Sequence, residues 1–240
     1  MKKNKKIIGL IGGMGPFASA EFCRLLLDKS SRNFGAKNGD DFPEIVLDSI
    51  PVPDFISNTE QLPEAKAILI SRIKKLNRFG CTIIAMVCNT GHILFPELSK
   101  ISDVKMVSLI NVVRDKVVAS KFKRVGLLAT RTTIKSKIYK NAFTGTGIKI
   151  IDPDEKTVDI CERVIRGVIA NENCEPVVDE LLRRTDRFVK EQELDGIILG
   201  CTELPLAFPQ KKTPNTIDCL DVLSDELLED FFRKRENDNV

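Results

Sequence analysis

The chain has 240 residues, 42% hydrophobic and 30% charged, the balance of a globular protein long enough for one domain or two small ones. Lys plus Arg number 37 and Asp plus Glu 34, a formal charge of +3 with no Lys/Arg stripe interleaved with aromatics, which argues against a nucleic-acid partner. The apolar run Ile7–Ile11 is far too short for a membrane span or a signal segment, and seven cysteines, an odd number, do not suggest a disulfide framework. The expectation is a cytoplasmic protein with no membrane partner.

In chain order, the Lys-rich start runs into a strand at Ile7–Ile11, and the glycine turn Gly12-Gly13-Met14-Gly15-Pro16 opens a helix over Phe17–Lys29. A strand at Glu44–Asp48 precedes a helix at Gln61–Phe79, then a strand at Thr82–Val87 ends on Cys88-Asn89-Thr90-Gly91-His92. Lys105–Leu109 reads as a strand, Val112–Ser120 as a helix, Arg124–Ala129 as a strand and Thr133–Phe143 as a helix. Ile148–Ile151, the helices Glu155–Ala170 and Cys174–Glu193, and the strand Gly196–Leu199 lead to Gly200-Cys201-Thr202-Glu203. A strand from Thr216 and a helix over Asp221–Arg235 close the chain. The strands are continuous apolar runs rather than alternations, as parallel strands buried on both faces are. The class is therefore α/β, built from strand–helix–strand units.

A coarser repetition divides the chain. Ile8-Gly9-Leu10-Ile11-Gly12 resembles Val125-Gly126-Leu127-Leu128-Ala129, an offset of 126 − 9 = 117. The segment ending at Cys88 resembles the one ending at Cys201, an offset of 201 − 88 = 113. Two similar halves follow: residues 1–105 with 215–240, and residues 106–214. A pseudo-twofold between them faces their strand ends into one cleft, and ligands of open α/β sheets bind outside the carboxyl ends of strands.

The chemistry concentrates at those ends. A thiol at a strand end beside backbone N–H groups has access to its thiolate, and thiol and thiolate are an acid and a base near neutral pH. Cys88 and Cys201 occupy equivalent positions, each followed by polar residues; Cys23, Cys81, Cys161, Cys174 and Cys219 lack that setting and read as structural. The glycine turn suits a small anion such as a carboxylate at a helix start. Gly13, Gly15 and Ala18 also fit a dinucleotide pattern, but no acidic residue ends a strand where the ribose needs one. A tetrahedral metal set of Cys88, His92, Cys201 and Glu203 is the rival use of the same atoms, and Cys–His nucleophilic catalysis is another.

These motifs, with Ala129-Thr130-Arg131-Thr132-Thr133, resemble the aspartate/glutamate racemase family of cofactor-independent amino-acid racemases. The resemblance implies two Rossmann-like domains with the active site in the cleft between them, a homodimer, and Cys88 and Cys201 as paired base and acid that invert an α-carbon without a cofactor. It implies that Asn89, Thr90 and Thr202 hold the α-carboxylate and ammonium, that Met14 and Gly15 line the floor, and that Thr130 and Thr133 contact the amino acid from the second half. Glu203 orients the substrate amine or assists Cys201. In one place the chain departs from the family pattern: Pro53-Asp54 is followed by Phe55 where an Arg meets a substrate carboxylate. No second basic residue stands out near Asn173-Cys174-Glu175-Pro176, which leaves Arg131 as the substitute. Aspartate or glutamate is the first substrate expected. A hydantoin, maleate, neutral or basic amino-acid substrate is the alternative, as is a non-catalytic amino-acid-binding protein.

Overall fold

The strands form where the apolar runs stand. β1 (Ile7–Gly12), buried from Ile8 onward, lies between β2 (Glu44–Ser49) and β3 (Ile83–Met86), and β4 (Lys105–Val107) borders β3. The computed structural model describes residues 6–55, 59–208 and 215–237, with side chains as far as residue 232. Within these residues a second sheet repeats the first: β5 (Arg124–Leu128) lies between β6 (Lys149–Ile151) and β7 (Gly196–Leu199), with β8 (Thr216–Asp218) beyond β7. Every pairing is parallel. The register preserves the sequence repeat: Gly9 sits opposite Ile84 and Gly126 opposite Ile197. Cys88 and Cys201 each follow the carboxyl end of the equivalent strand.

Parallel neighbours need helical crossovers. In the first half these are α1 (Pro16–Phe34), α2 (Leu62–Phe79) and, after a 3₁₀ turn at Thr90–Ile93, the short α3 (Phe95–Leu98). Then come α4 (Leu109–Ala119), α5 (Arg131–Lys135), α6 (Ile138–Ala142), α7 (Glu155–Ala170), α8 (Glu175–Glu191), α9 (Leu204–Ala207) and α10 (Cys219–Asn237). Side chains cap several starts. Ser108 accepts from the Asn111 N–H at α4, Thr130 from the Thr133 N–H at α5, and Asp154 from the Thr157 N–H at α7.

Some boundaries differ from the sequence reading. The strand expected to reach Leu109 stops at Val107, because Ser108 caps a helix that begins at Leu109 rather than Val112. The helix expected over Thr133–Phe143 is two helices, broken at Lys137, whose φ of 58° is left-handed. Val107 pairs with Ala85, so β4 stays whole in the first sheet past residue 105. Thr216 pairs with Ile197, so β8 belongs to the second sheet, whereas the helix after it packs on α1 and α4.

The last helix of each half thus lies at the junction: α4 leaves the first sheet and touches α6 and α10, and α10 leaves the second sheet and touches α1 and α4. One apolar cluster consequently takes in Ile8, Leu10 and Ile83 of the first sheet, Val125, Leu127 and Ile198 of the second, and Leu223 and Leu227 of α10. Burial shared in this way is expected to make the halves unfold together. Leu227 is fully buried there, and Leu227→Ala is expected to remove about 2–5 kcal/mol of unfolding free energy. Urea denaturation should show one transition, shifted to lower urea; two resolved transitions would mean that the shared cluster does not couple the halves.

Candidate active site

The glycine turn brings β1 to α1 by a path that side chains would block. Gly13 has φ 89°, and a Cβ there would stand 2.3 Å from the backbone of Ile50. Ser19, from the first turns of α1, accepts from the Gly13 N–H at 2.9 Å and donates to the Gly15 carbonyl at 2.8 Å, which holds the turn against the helix. Gly15 occupies the N-cap without a side-chain cap. A Cβ on Gly15 would lie 1.4 Å from Oε1 of Glu203, so a carboxyl of the second half is seated on the turn of the first.

That carboxyl belongs to the Cys201 loop. The Cys201 thiol donates to Glu203 Oε2 at 2.9 Å and the Thr202 hydroxyl donates to the same oxygen at 3.0 Å. Glu203 Oε1 has no hydrogen-bond partner among the described residues, and burial raises the carboxyl above the usual range. Cys88 has the opposite setting: its sulfur accepts from the Gly91 N–H at 3.3 Å. Burial pushes Cys88 up to about 12, with the Gly91 and Thr90 N–H groups pulling down and Glu203 adding to the rise. Cys201 is pushed well above its ordinary value by burial, by Glu203 and by Cys88, so the two thiols and Glu203 share one electrostatic field.

The expected threonines meet across the two halves. Thr90 Oγ1 lies 3.1 Å from Thr130 Oγ1 and 2.9 Å from Thr133 Oγ1, and those two hydroxyls are 2.9 Å apart, all three buried. Asn89 is turned to other partners: Tyr139 donates to its Oδ1 at 2.5 Å, and its Nδ2 donates to the Cys219 sulfur at 3.3 Å. Cys219, structural by sequence, therefore lies directly behind the site, together with the one tyrosine of the chain. His92 is drawn away from any ligand set. Its Nε2 accepts from the Leu109 N–H at 3.0 Å, which leaves Nδ1 to donate to the Cys88 carbonyl at 2.7 Å. Burial lowers it to about 4, so it is a neutral prop for the Cys88 loop. Among the described residues no group of three His, Cys, Asp or Glu is arranged to hold a metal ion.

A cavity of about 160 Å³ runs to Cys88 between Met14, Pro16, Val52, Phe55 and Ile169, with Asp54 and Arg166 in its wall. Arg166, from α7, pairs with Asp54 of the β2–α2 loop at 2.6 Å. Phe55 is buried among apolar side chains and presents nothing polar. Arg131 faces elsewhere, paired with Glu155 and Asp159 of α7. The cation at this cavity is thus Arg166, which sequence reasoning missed. Its one sequence signal is a basic residue on a helix flanking the cleft, and α7 also carries Arg163. No helix among the described residues is long and apolar enough to cross a membrane.

Known proteins match this geometry. The family model described as Asp/Glu/Hydantoin racemase matches residues 11–225. The chain is 30% identical over 200 residues to the broad specificity amino-acid racemase RacX of Bacillus subtilis (strain 168), covering 82% of this chain and 86% of that protein. Among solved structures, the Picrophilus torridus aspartate racemase is similar with a TM-score of 0.80 at 29% identity, covering 94% of each chain. An aspartate racemase homologue from Pyrococcus horikoshii OT3 gives 0.77 at 28% identity, covering 94% of this chain and 98% of that one.

The Gly15–Glu203 contact is testable. Gly15 has φ −151°, which any residue adopts, so Gly15→Ala acts through the displaced carboxyl rather than through backbone strain. Gly15→Ala is expected to leave the protein folded by circular dichroism and to raise the alkylation rate of Cys201, because the oxygen holding its proton has moved. An unchanged Cys201 rate would show that Glu203 keeps its place.

Proposed function

The chain belongs to the Asp/Glu/Hydantoin racemase family and is an isomerase, and from that premise we propose that it racemises amino acids without a cofactor, aspartate or glutamate first, by proton transfer between Cys88 and Cys201. The observation that carries the reading is the pair of buried thiols at equivalent strand ends, one from each sheet, within one field. Inversion needs a base on one face of the α-carbon and an acid on the other. One sulfur takes the α-proton while the electron pair left on carbon spreads into the carboxylate; the other sulfur delivers its proton to the opposite face. The roles exchange for the reverse direction.

The surrounding groups fit the charges that develop. The hydroxyls of Thr90, Thr130 and Thr133 bond to one another, so an entering α-carboxylate exchanges those bonds and leaves no hydroxyl unsatisfied. Fixed donors of this kind, shielded from water, stabilise a carbanion better than a solvent that must reorganise. Glu203 Oε1, without a partner among the described residues and against Gly15, is an acceptor for the α-ammonium. That ammonium is also the cation that favours thiolate in a cleft whose burial disfavours it.

Arg166, in the cavity that reaches Cys88, supplies a partner for a side-chain carboxylate where Phe55 supplies none. The Asp54 carboxyl already on Arg166 favours a second reading of the specificity, in which neutral side chains are accepted beside acidic ones.

Purified protein in D₂O with no added cofactor should exchange the α-proton of aspartate or glutamate and lose optical rotation. Cys88→Ser and Cys201→Ser should each lower racemisation by at least about a hundredfold, the usual worth of a positioned acid or base, with wild-type circular dichroism. Near-wild-type activity in both variants would end the two-thiol reading. Because both thiols are raised, kcat/KM should climb by up to about tenfold per pH unit between pH 7 and 9. Arg166→Gln should raise KM for aspartate and glutamate about tenfold or more, the scale of a lost charge-assisted bond, and leave alanine nearly unchanged. Equal effects on both would place Arg166 outside the side-chain subsite.

A further inference from the structure

The chain fills its aromatic positions with 13 phenylalanines and a single tyrosine, and that tyrosine is fully buried. Tyr139 packs in the apolar cluster shared by the two sheets, where a phenylalanine would pack without a hydroxyl to satisfy. Its hydroxyl donates to Asn89 Oδ1 at 2.5 Å, from α6 of the second half to the Cys88 loop of the first. Asn89 Nδ2 donates in turn to the Cys219 sulfur at 3.3 Å, so both ends of the amide are held. The Tyr139 hydroxyl also lies within electrostatic reach of the Cys201 sulfur. We propose that Tyr139 is a positioning residue: through Asn89 it holds the Cys88 loop at a fixed place relative to Cys201 while the substrate occupies the threonine hydroxyls. The assignment deepens the two-thiol reading and rests on it.

The break between α5 and α6 is what brings this hydroxyl to the loop. Thr133 and Tyr139 are six positions apart, and in one unbroken helix they would stand about 120° apart around the axis. Lys137, at φ 58°, separates the two helices, and both side chains then reach the first half. Asn89 and Thr90 are thus both gripped from the second half, immediately after Cys88. A substrate acts on these grips differently. In the proposed reaction an α-carboxylate exchanges the threonine bonds, so they no longer fix the loop. The Tyr139–Asn89 bond is fully buried behind them and still joins the Cys88 loop to the second half. Burial, Cys219 and Cys201 push the Tyr139 ionisation well above the usual phenol range, so the hydroxyl keeps its proton and goes on donating.

Inversion depends on this geometry more than proton removal does. Removal needs one sulfur within reach of the α-proton, whereas inversion also needs the other sulfur in line on the opposite face. A loop free to shift still lets one sulfur reach the α-proton but no longer holds both in line. A thiol that takes the α-proton, exchanges it with solvent and returns a deuteron to the same face gives exchange without inversion. The signature of a lost positioning residue is therefore a rise of exchange relative to inversion. A variant that is merely less folded loses both in proportion.

Tyr139→Phe removes the hydroxyl and keeps the ring. Wild type and variant are assayed in D₂O with aspartate, glutamate and a panel of neutral and basic amino acids, optical rotation following inversion and NMR following α-proton exchange. The variant should keep its fold by far-UV circular dichroism. Its kcat for inversion should fall about tenfold or more with KM changed less than about threefold, and its ratio of exchange to inversion should rise about threefold or more. Cys219→Ala, which frees the other end of the Asn89 amide, should move the ratio the same way by less. Because both act through Asn89, the double variant should lose less than the product of the two single losses. An unchanged kcat in Tyr139→Phe, a ratio that stays at the wild-type value, or losses that multiply would overturn the assignment. Should Tyr139→Phe not fold, the Cys219→Ala ratio decides alone, and an unchanged ratio there overturns it. The wild type separates the two questions. If it exchanges no amino acid, the racemase reading falls and the assignment with it; if it racemises and the variants match it, the assignment alone falls.

Discussion

The contact on which the site depends is the carboxyl of Glu203 against Gly15. It joins the turn after β1 to the loop after β7, segments from different sheets, and it exists because residue 15 has no side chain. A buried carboxyl carries a desolvation cost, and this one is offset in part: Oε2 receives two donors and Oε1 none among the described residues. Such a residue raises its own pKa and disfavours any negative charge nearby. Both thiols feel it. The cleft as it stands is therefore poised against ionisation of either thiol.

The repeat explains the placement of the sulfurs, and the departures from it explain their difference. β3 and β7 occupy the same place in sheets of the same order, and each delivers a cysteine just past its carboxyl end. Beyond the cysteine the loops diverge: Cys88 is followed by Asn89, Thr90 and Gly91, and Cys201 by Thr202, Glu203 and Leu204. In the first loop the backbone curls into a 3₁₀ turn and presents N–H groups to the sulfur; in the second the Glu203 N–H faces the sulfur and its side chain also folds back and presents an oxygen. A duplicated scaffold thus carries two thiols that differ by a carboxyl beside the second.

Much of this was legible in the chain. The apolar runs marked the strands because parallel strands buried on both faces have no polar alternation to hide them, and the two matched offsets marked the repeat. The strand-end positions of Cys88, Cys201 and Glu203 were legible because each sits in a short local motif. What failed was tertiary. The break at Lys137 has no Gly or Pro to announce it, and a lysine takes the left-handed conformation there. The packing of α4 against α6 of the second half depends on contacts that no local pattern encodes. Arg166 was missed because its partner, Asp54, lies in the other half, and Arg131 was favoured for standing inside a motif. Asn89 was read as facing the substrate, whereas Tyr139 and Cys219, both remote in sequence, hold its amide.

The ties between the two halves differ in strength and burial. The Asp54–Arg166 pair is about half exposed on both sides, and pairs of that kind contribute only about 0–1 kcal/mol. The Thr90–Thr130–Thr133 hydroxyls and the Tyr139–Asn89–Cys219 chain are buried, and opening them without replacement leaves polar groups unsatisfied at about 1–3 kcal/mol each. The shared apolar cluster behind them resists separation further. The exposed Asp54–Arg166 pair is therefore a weaker tie than the buried threonine and asparagine bonds.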